Sequence, residues 1–129
     1  MAIRVVRLGS PRVAGEGMRI GTVRRPPRGV RKEEYAKLDY FDVWLPQIAP
    51  SAELVKWIQT HSDSPQGWAR FETLYRRELS SPDSRHLIEL LAALSSGADF
   101  SIGCYCEDEA KCHRSILGRV LAECGAKIA

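Results

Sequence analysis

The chemistry of this chain concentrates between residues 104 and 114, where Cys104, Cys106, Cys112, His113 and Arg114 bring three of the four cysteines and one of the three histidines into a single loop. Thiols and an imidazole act as nucleophiles, proton carriers or soft-metal ligands according to their surroundings, and a guanidinium beside them binds anions. Cys112 falls where a helix restarts, next to His113 and Arg114, and both the helix N-terminus and neighbouring positive charge favour a thiolate. Cys112 is therefore a candidate nucleophile and His113 a candidate proton carrier. Glu107, in the acidic turn with Asp108 and Glu109, is a candidate general base. Cys106, Arg114 and Ser115 are placed to contact an anionic ligand at the same helix start.

The pattern Cys-x-Cys-x5-Cys-His also adds up to four soft or borderline ligands, enough on paper for a tetrahedral zinc site. Its spacing is not that of zinc ribbons or knuckles, which set Cys-x2-Cys on a tight turn, and adjacent residues of a helix diverge by about 100°. No residue is assigned as a metal ligand on this basis, and no cofactor is named.

A second set of anion-binding candidates lies upstream. Arg24 and Arg28 flank Pro26-Pro27, and a stiff loop that presents guanidinium groups suits bidentate recognition of phosphate or carboxylate. Residues 1 to 32 carry nine Lys or Arg against the single acid Glu16, whereas the whole chain has a formal net charge of only +3. Such a split can steer a polyanion, so a nucleic-acid-binding module that uses the basic first third stands as one alternative to a small anionic ligand, and a metal- or redox-responsive thiol protein built on the cysteines as another. The stretch lacks the interleaved aromatics of a base-stacking platform.

These residues need a scaffold, and the pattern along the chain alternates strand and helix. Ile3 to Leu8 and Met18 to Arg24 read as strands, either paired as a hairpin or flanking a site loop. Tyr40 to Leu45 reads as a third, and the apolar run 99 to 106 as a fourth. Helices begin at Ser51, at Ser64-Pro65 and at Ser81-Pro82, where a capping hydroxyl or a first-turn proline marks each start. Trp68, Phe71, Leu74, Tyr75 and Leu79 form one face of the second helix. Ile116, Leu117, Val120 and Leu121 form the core face of the last, which stops at Gly125, and Cys124 is expected to pack inside. Trp44 and Trp57 read as core or core-edge aromatics.

Four strands and four or five helices imply an α/β layered domain with a small, mainly parallel sheet flanked by helices. A strand that ends in a polar loop and restarts as a helix places Cys104 to Arg114 at the carboxyl edge of such a sheet, the usual location of a site in open α/β folds. The chain's 129 residues, 44% hydrophobic and 27% charged, suit a single domain over 1–129. No apolar run approaches a membrane span and the start has no secretory pattern, so a cytoplasmic location with free thiols and no membrane partner is expected.

Four motifs taken in order, Arg24-x3-Arg28-Gly29-Val30, Trp44-Leu45-Pro46-x3-Pro50-Ser51, Phe71-x2-Leu74-Tyr75-Arg76 and Cys104-x-Cys106-Glu107-x5-Cys112-His113-Arg114, resemble the DUF488 family of small uncharacterised bacterial and archaeal proteins. The likeness runs from about Arg19 to Leu121. It departs from the family's Asp-Arg-x-Trp-Pro-Arg-Gly pattern at Val23 and Pro26, which stand where the acid and the tryptophan would be. The resemblance implies an α/β domain whose arginine loop and Cys-His-Arg loop line one cleft, and it implies no particular activity.

Overall fold

The computed structural model describes residues 1–129. Four strands, β1 (Ile3–Arg7), β2 (Met18–Gly21), β3 (Val43–Trp44) and β4 (Phe100–Cys104), form one sheet in the order β1-β4-β2-β3, and every neighbouring pair is parallel. Four helices, α1 (Ala52–Gln59), α2 (Pro65–Leu79), α3 (Pro82–Leu94) and α4 (His113–Glu123), complete an α/β domain. None of the helices is long and apolar enough to cross a membrane.

All five residues of β4 are buried, as a strand with neighbours on both edges and cover on both faces must be. Its side chains alternate, so Phe100, Ile102 and Cys104 face one way and Ser101 and Gly103 the other. On the first face Ile3, Ile20, Phe100 and Ile102 join residues from all four helices, among them Leu54, Phe71, Tyr75, Ile88 and Leu117, in one core. The starts of α1 and α2 are set by Ser51, whose hydroxyl accepts from the Leu54 N–H, and Ser64, which accepts from the Gly67 N–H. Buried Tyr75 satisfies its hydroxyl by donating to the Ile48 carbonyl at 2.6 Å.

Two irregular segments, residues 8–17 and 31–42, cover the other face. Leu8 occupies the space above Gly103, where an added Cβ would stand 2.7 Å from its Cδ2, and the Phe41 ring lies over Gly21, 2.3 Å from where a Cβ would be. The hairpin reading of β1 and β2 is overturned, because β4 is inserted between them and all three strands run parallel. Residues 8–17 therefore return the length of the sheet without a helix. Arg19 holds this return in place: its guanidinium pairs with Glu16 at 3.0 Å and donates to the carbonyls of Ser10, Pro11 and Asp39. Arg19 and Glu16 are 1% and 3% exposed, so the ion pair is internal.

The remaining differences are local. The third strand shrinks to Val43–Trp44, and β2 and β4 stop at Gly21 and Cys104, short of Arg24 and Cys106. Trp44 leaves 42% of its surface exposed, with its indole N–H donating to the Val23 carbonyl. Cys124 is exposed rather than packed, because α4 ends at Glu123 and Cys124 lies at the cap beyond its last buried residue, Leu121. The outer edge of β1 is closed by the tail: the Ile3 N–H donates to the Lys127 carbonyl and the Ala129 N–H to the Ile3 carbonyl, both at 2.8 Å.

Arg12 fastens the second layer by donating to Asp42 at 2.9 Å, and the Arg19 backbone N–H donates to the same carboxylate at 2.8 Å. Burial alone raises the Asp42 pKa, but these donors outweigh it and the net shift is downward. A lowered folded-state value means stabilisation that is complete above the unfolded pKa of about 3.9 and is lost as the pH falls through the folded value. Asp42→Asn is thus expected to flatten the decline in melting temperature as the pH falls below about 4. An unchanged slope in a pH series of thermal melts would place the acid-labile group elsewhere.

Candidate functional site

The carboxyl ends of β2 and β4 are neighbours, and each opens into one of the loops that carry chemistry. From β2 the chain continues through Thr22 and Val23 into the arginine loop. From β4 it continues through Tyr105 and Cys106 and re-enters the fold as α4, with Cys112 as the N-cap. Between these loops and α1 lies a cleft of about 840 Å³ whose lining includes Arg24, Arg28, Cys104, Cys106, Cys112 and His113. The arginine loop is tied to the cysteine loop by Tyr105, whose hydroxyl donates to the Arg25 carbonyl at 3.0 Å.

The three cysteines form one cluster in which all Sγ atoms lie within 4.8 Å of one another. Cys104 and Cys112 are buried, while Cys106, 3.8 Å from the Cys104 sulfur, is exposed. The Cys106 thiol is held well below the usual thiol range, first by its hydrogen bond with Cys104, then by that with Cys112, and further by the positive charge of Arg114. Cys104 is pushed up to about 11, first by its hydrogen bond to Cys106 and then by burial. Cys112 is pushed up for the same reasons: the neighbouring sulfurs, then burial. The accessible, ionisable sulfur is thus Cys106, and Cys112, which is 1% exposed, is its buried proton-bearing neighbour.

His113 turns its Nε2 to the Thr22 carbonyl at 2.6 Å, and since a carbonyl only accepts, Nε2 carries the proton and Nδ1 keeps its lone pair. Burial lowers its pKa, against the pull of that hydrogen bond, so the ring is a neutral imidazole near pH 7. Arg114 lies behind the cluster, 4% exposed. Its Nη1 donates to the Cys106 carbonyl at 2.5 Å and approaches the Cys112 sulfur at 4.0 Å, and its Nε is buried with no acceptor. Ser115 donates to the Cys112 carbonyl at 2.9 Å, which steadies the helix start, and does not line the cleft. Glu107 lies outside it too, with 85% of its side chain exposed and Arg7 at 3.5 Å.

Arg24 reaches the cleft but has much of its guanidinium engaged, donating to the carbonyls of Pro46, Ala49 and Pro50 at 2.9 to 3.1 Å. Arg28 lines the cleft with its side-chain donors uncommitted. Three cations that the motif reading passed over join it: Arg25, Lys56 and Lys111. Arg25 and Lys111 are sequence neighbours of residues already singled out, a signal that was there to use. Lys56 carried none, since a lysine between Val55 and Trp57 reads as the solvated side of an amphipathic helix. Against these five cations the cleft sets one carboxylate, Glu53.

The concentration of charge in the first 32 residues is thereby resolved into separate jobs. Arg12 and Arg19 pair with acids inside the second layer, Arg24 binds carbonyls, and Arg25 and Arg28 face the cleft. No curated protein and no solved structure matches the chain. A family model described as the active DUF488-N3 subclade matches residues 3–125, nearly the whole of the fold just described, and the chain belongs to that subclade of the DUF488 family.

Proposed function

We propose that the cleft binds a small phosphorylated molecule, a nucleotide or another phosphorylated metabolite, with its phosphate toward Arg25, Arg28, Lys56 and Lys111. The observation that carries this reading is the charge of the lining, five cations to one carboxylate in a concave site that also holds an exposed thiol. Val55, Ile58, Trp68 and Phe71 supply an apolar wall for the remainder of the ligand. As an enzyme the protein would react through the Cys106 thiolate, with neutral His113, which lines the same cleft, as the proton carrier. Exposure favours Cys106 over Cys112 for that role, and the position of Glu107 outside the cleft argues against it as the base.

The test is calorimetric titration of the reduced, chelator-treated protein with inorganic pyrophosphate and with AMP, read beside the rate of iodoacetamide labelling at Cys106. Saturable binding that shields Cys106 is the expected result. Arg28→Ala, a change in an exposed loop, should weaken it about 10- to 100-fold, the worth of one charge-assisted hydrogen bond. No saturable binding, or binding that Arg28→Ala and Lys111→Ala both leave unchanged, would sink the reading. Preference for a single-stranded oligonucleotide, with affinity falling steeply as salt rises and indifferent to Cys106→Ser, would favour the nucleic-acid alternative.

A further inference from the structure

We propose that Cys104, Cys106 and Cys112 are the ligands of one zinc ion, bound at the floor of the cleft with its fourth position open toward the basic side chains. Zinc–thiolate bonds of about 2.3 Å in a tetrahedral site place any two sulfurs about 3.8 Å apart. Cys104 and Cys106 stand at 3.8 Å, and the third sulfur falls within 4.8 Å of both, which leaves about an ångström of adjustment for closure. The donor set is sulfur alone, with no carboxylate oxygen in the group, so it selects a borderline-soft d10 cation over magnesium or calcium.

The three ligands come from parts of the fold that cannot drift apart. Cys104 is the last residue of the buried strand β4, Cys106 follows it by two residues on the same side, and Cys112 caps α4. Arg114 clamps both arms of the loop between them through the carbonyl of Cys106 and its approach to the Cys112 sulfur. Its charge also has a purpose here that nothing else in the fold supplies. Three thiolates around a divalent ion carry one net negative charge, and the only guanidinium buried against the cluster has a nitrogen, Nε, with no acceptor of its own. His113 does not complete the set: the ligand atoms that the fold gathers are the three sulfurs alone, and its ring is turned by Nε2 toward the Thr22 carbonyl. The open position therefore faces the cleft, where water or an anionic ligand completes the shell, and as the ion binds, the remaining thiol protons leave to the solvent.

The ion site does not rest on the phosphate reading, and one protein preparation separates the two. The chelator-treated, reduced full chain is titrated with Co²⁺, monitored by thiolate-to-cobalt charge transfer and the ligand-field bands of a tetrahedral site, and the cobalt is then displaced by Zn²⁺. About one equivalent per chain is expected. Cys106→Ser, at an exposed position, should abolish the tetrahedral spectrum while near-ultraviolet circular dichroism stays native. Cys124→Ser should leave the spectrum intact, and Arg114→Met should weaken zinc about 10- to 100-fold as loss of an outer partner does. Zinc should also stop iodoacetamide labelling of Cys106.

No charge-transfer band, octahedral cobalt only, or the same stoichiometry in Cys106→Ser would overturn the proposal. Pyrophosphate binding without metal binding would sink the zinc site and leave the phosphate reading standing. Metal binding without pyrophosphate binding would do the reverse.

Discussion

Arg19→Met costs the domain about 3 to 5 kcal/mol, the expected penalty for stranding one member of a buried ion pair. The removed guanidinium serves one buried acid and a set of half-buried carbonyls. The acid is Glu16, whose two carboxylate oxygens accept from Nε and Nη2 at 3.0 Å each. The carbonyls are those of Ser10, Pro11 and Asp39, drawn from both segments of the second layer. Methionine matches the length of the aliphatic stem, so the apolar packing of the stem is kept and what is lost is the guanidinium head with its ion pair and hydrogen bonds. The measurement is urea unfolding followed by tryptophan fluorescence, with the pair Glu16→Gln and Arg19→Met as the closing arm of a double-mutant cycle. The double variant should regain part of the loss, because the orphaned charge is gone. A single-variant cost under about 1 kcal/mol would mean that water enters and solvates Glu16, and the layer is less closed than its burial indicates.

Gly17→Ala is the second large effect, two residues upstream of Arg19 and for a different reason. Gly17 has φ of +76°, and a Cβ built on it would lie 2.0 Å from the Asp99 carbonyl oxygen and 2.7 Å from the Asp99 carbonyl carbon. The obstacle is backbone leading into β4, so it cannot rotate aside as a side chain would. Left-handed strain of about 1 to 3 kcal/mol and a steric cost of similar size give roughly 2 to 6 kcal/mol. Gly15→Ala is the control: its φ is +81° but nothing lies within 4 Å, so it carries only the backbone part. Equal midpoints for the two alanine variants in the same urea series would show that residues 8–17 lift off the sheet at little cost.

Helices were legible in the residues because their signals are local. Ser51, Ser64-Pro65 and Pro82 mark starts that chemistry within one turn dictates, and the aromatic spacing from Trp68 to Leu79 names the buried face. The order of strands is a long-range property, which is why β1 and β2 admit a hairpin until β4 is seen between them. The location of the site follows from a buried strand that breaks into a cysteine-rich loop. Which cysteine meets solvent does not, since Cys112 and Cys106 differ only in what the rest of the chain packs over them. The same holds for Arg19 and Arg28, identical side chains in one basic stretch, of which one closes an interior ion pair and the other lines the cleft. Cys124 shows the opposite error, where a thiol near an apolar helix face reads as interior although its own position is past the final buried turn.

The placement of β4 in the sheet also sets the order in which this molecule can be made. As the chain leaves the ribosome, β1 emerges first, yet its strand partner begins at Phe100, opposite Ile3. The short β2–β3 pair, the Arg12 and Arg19 ties of the second layer and the helices α1 to α3 can organise before then. The closed sheet and the cysteine cluster both await β4 and the residues that follow it, so the closure of the sheet and the assembly of the site are a single late event.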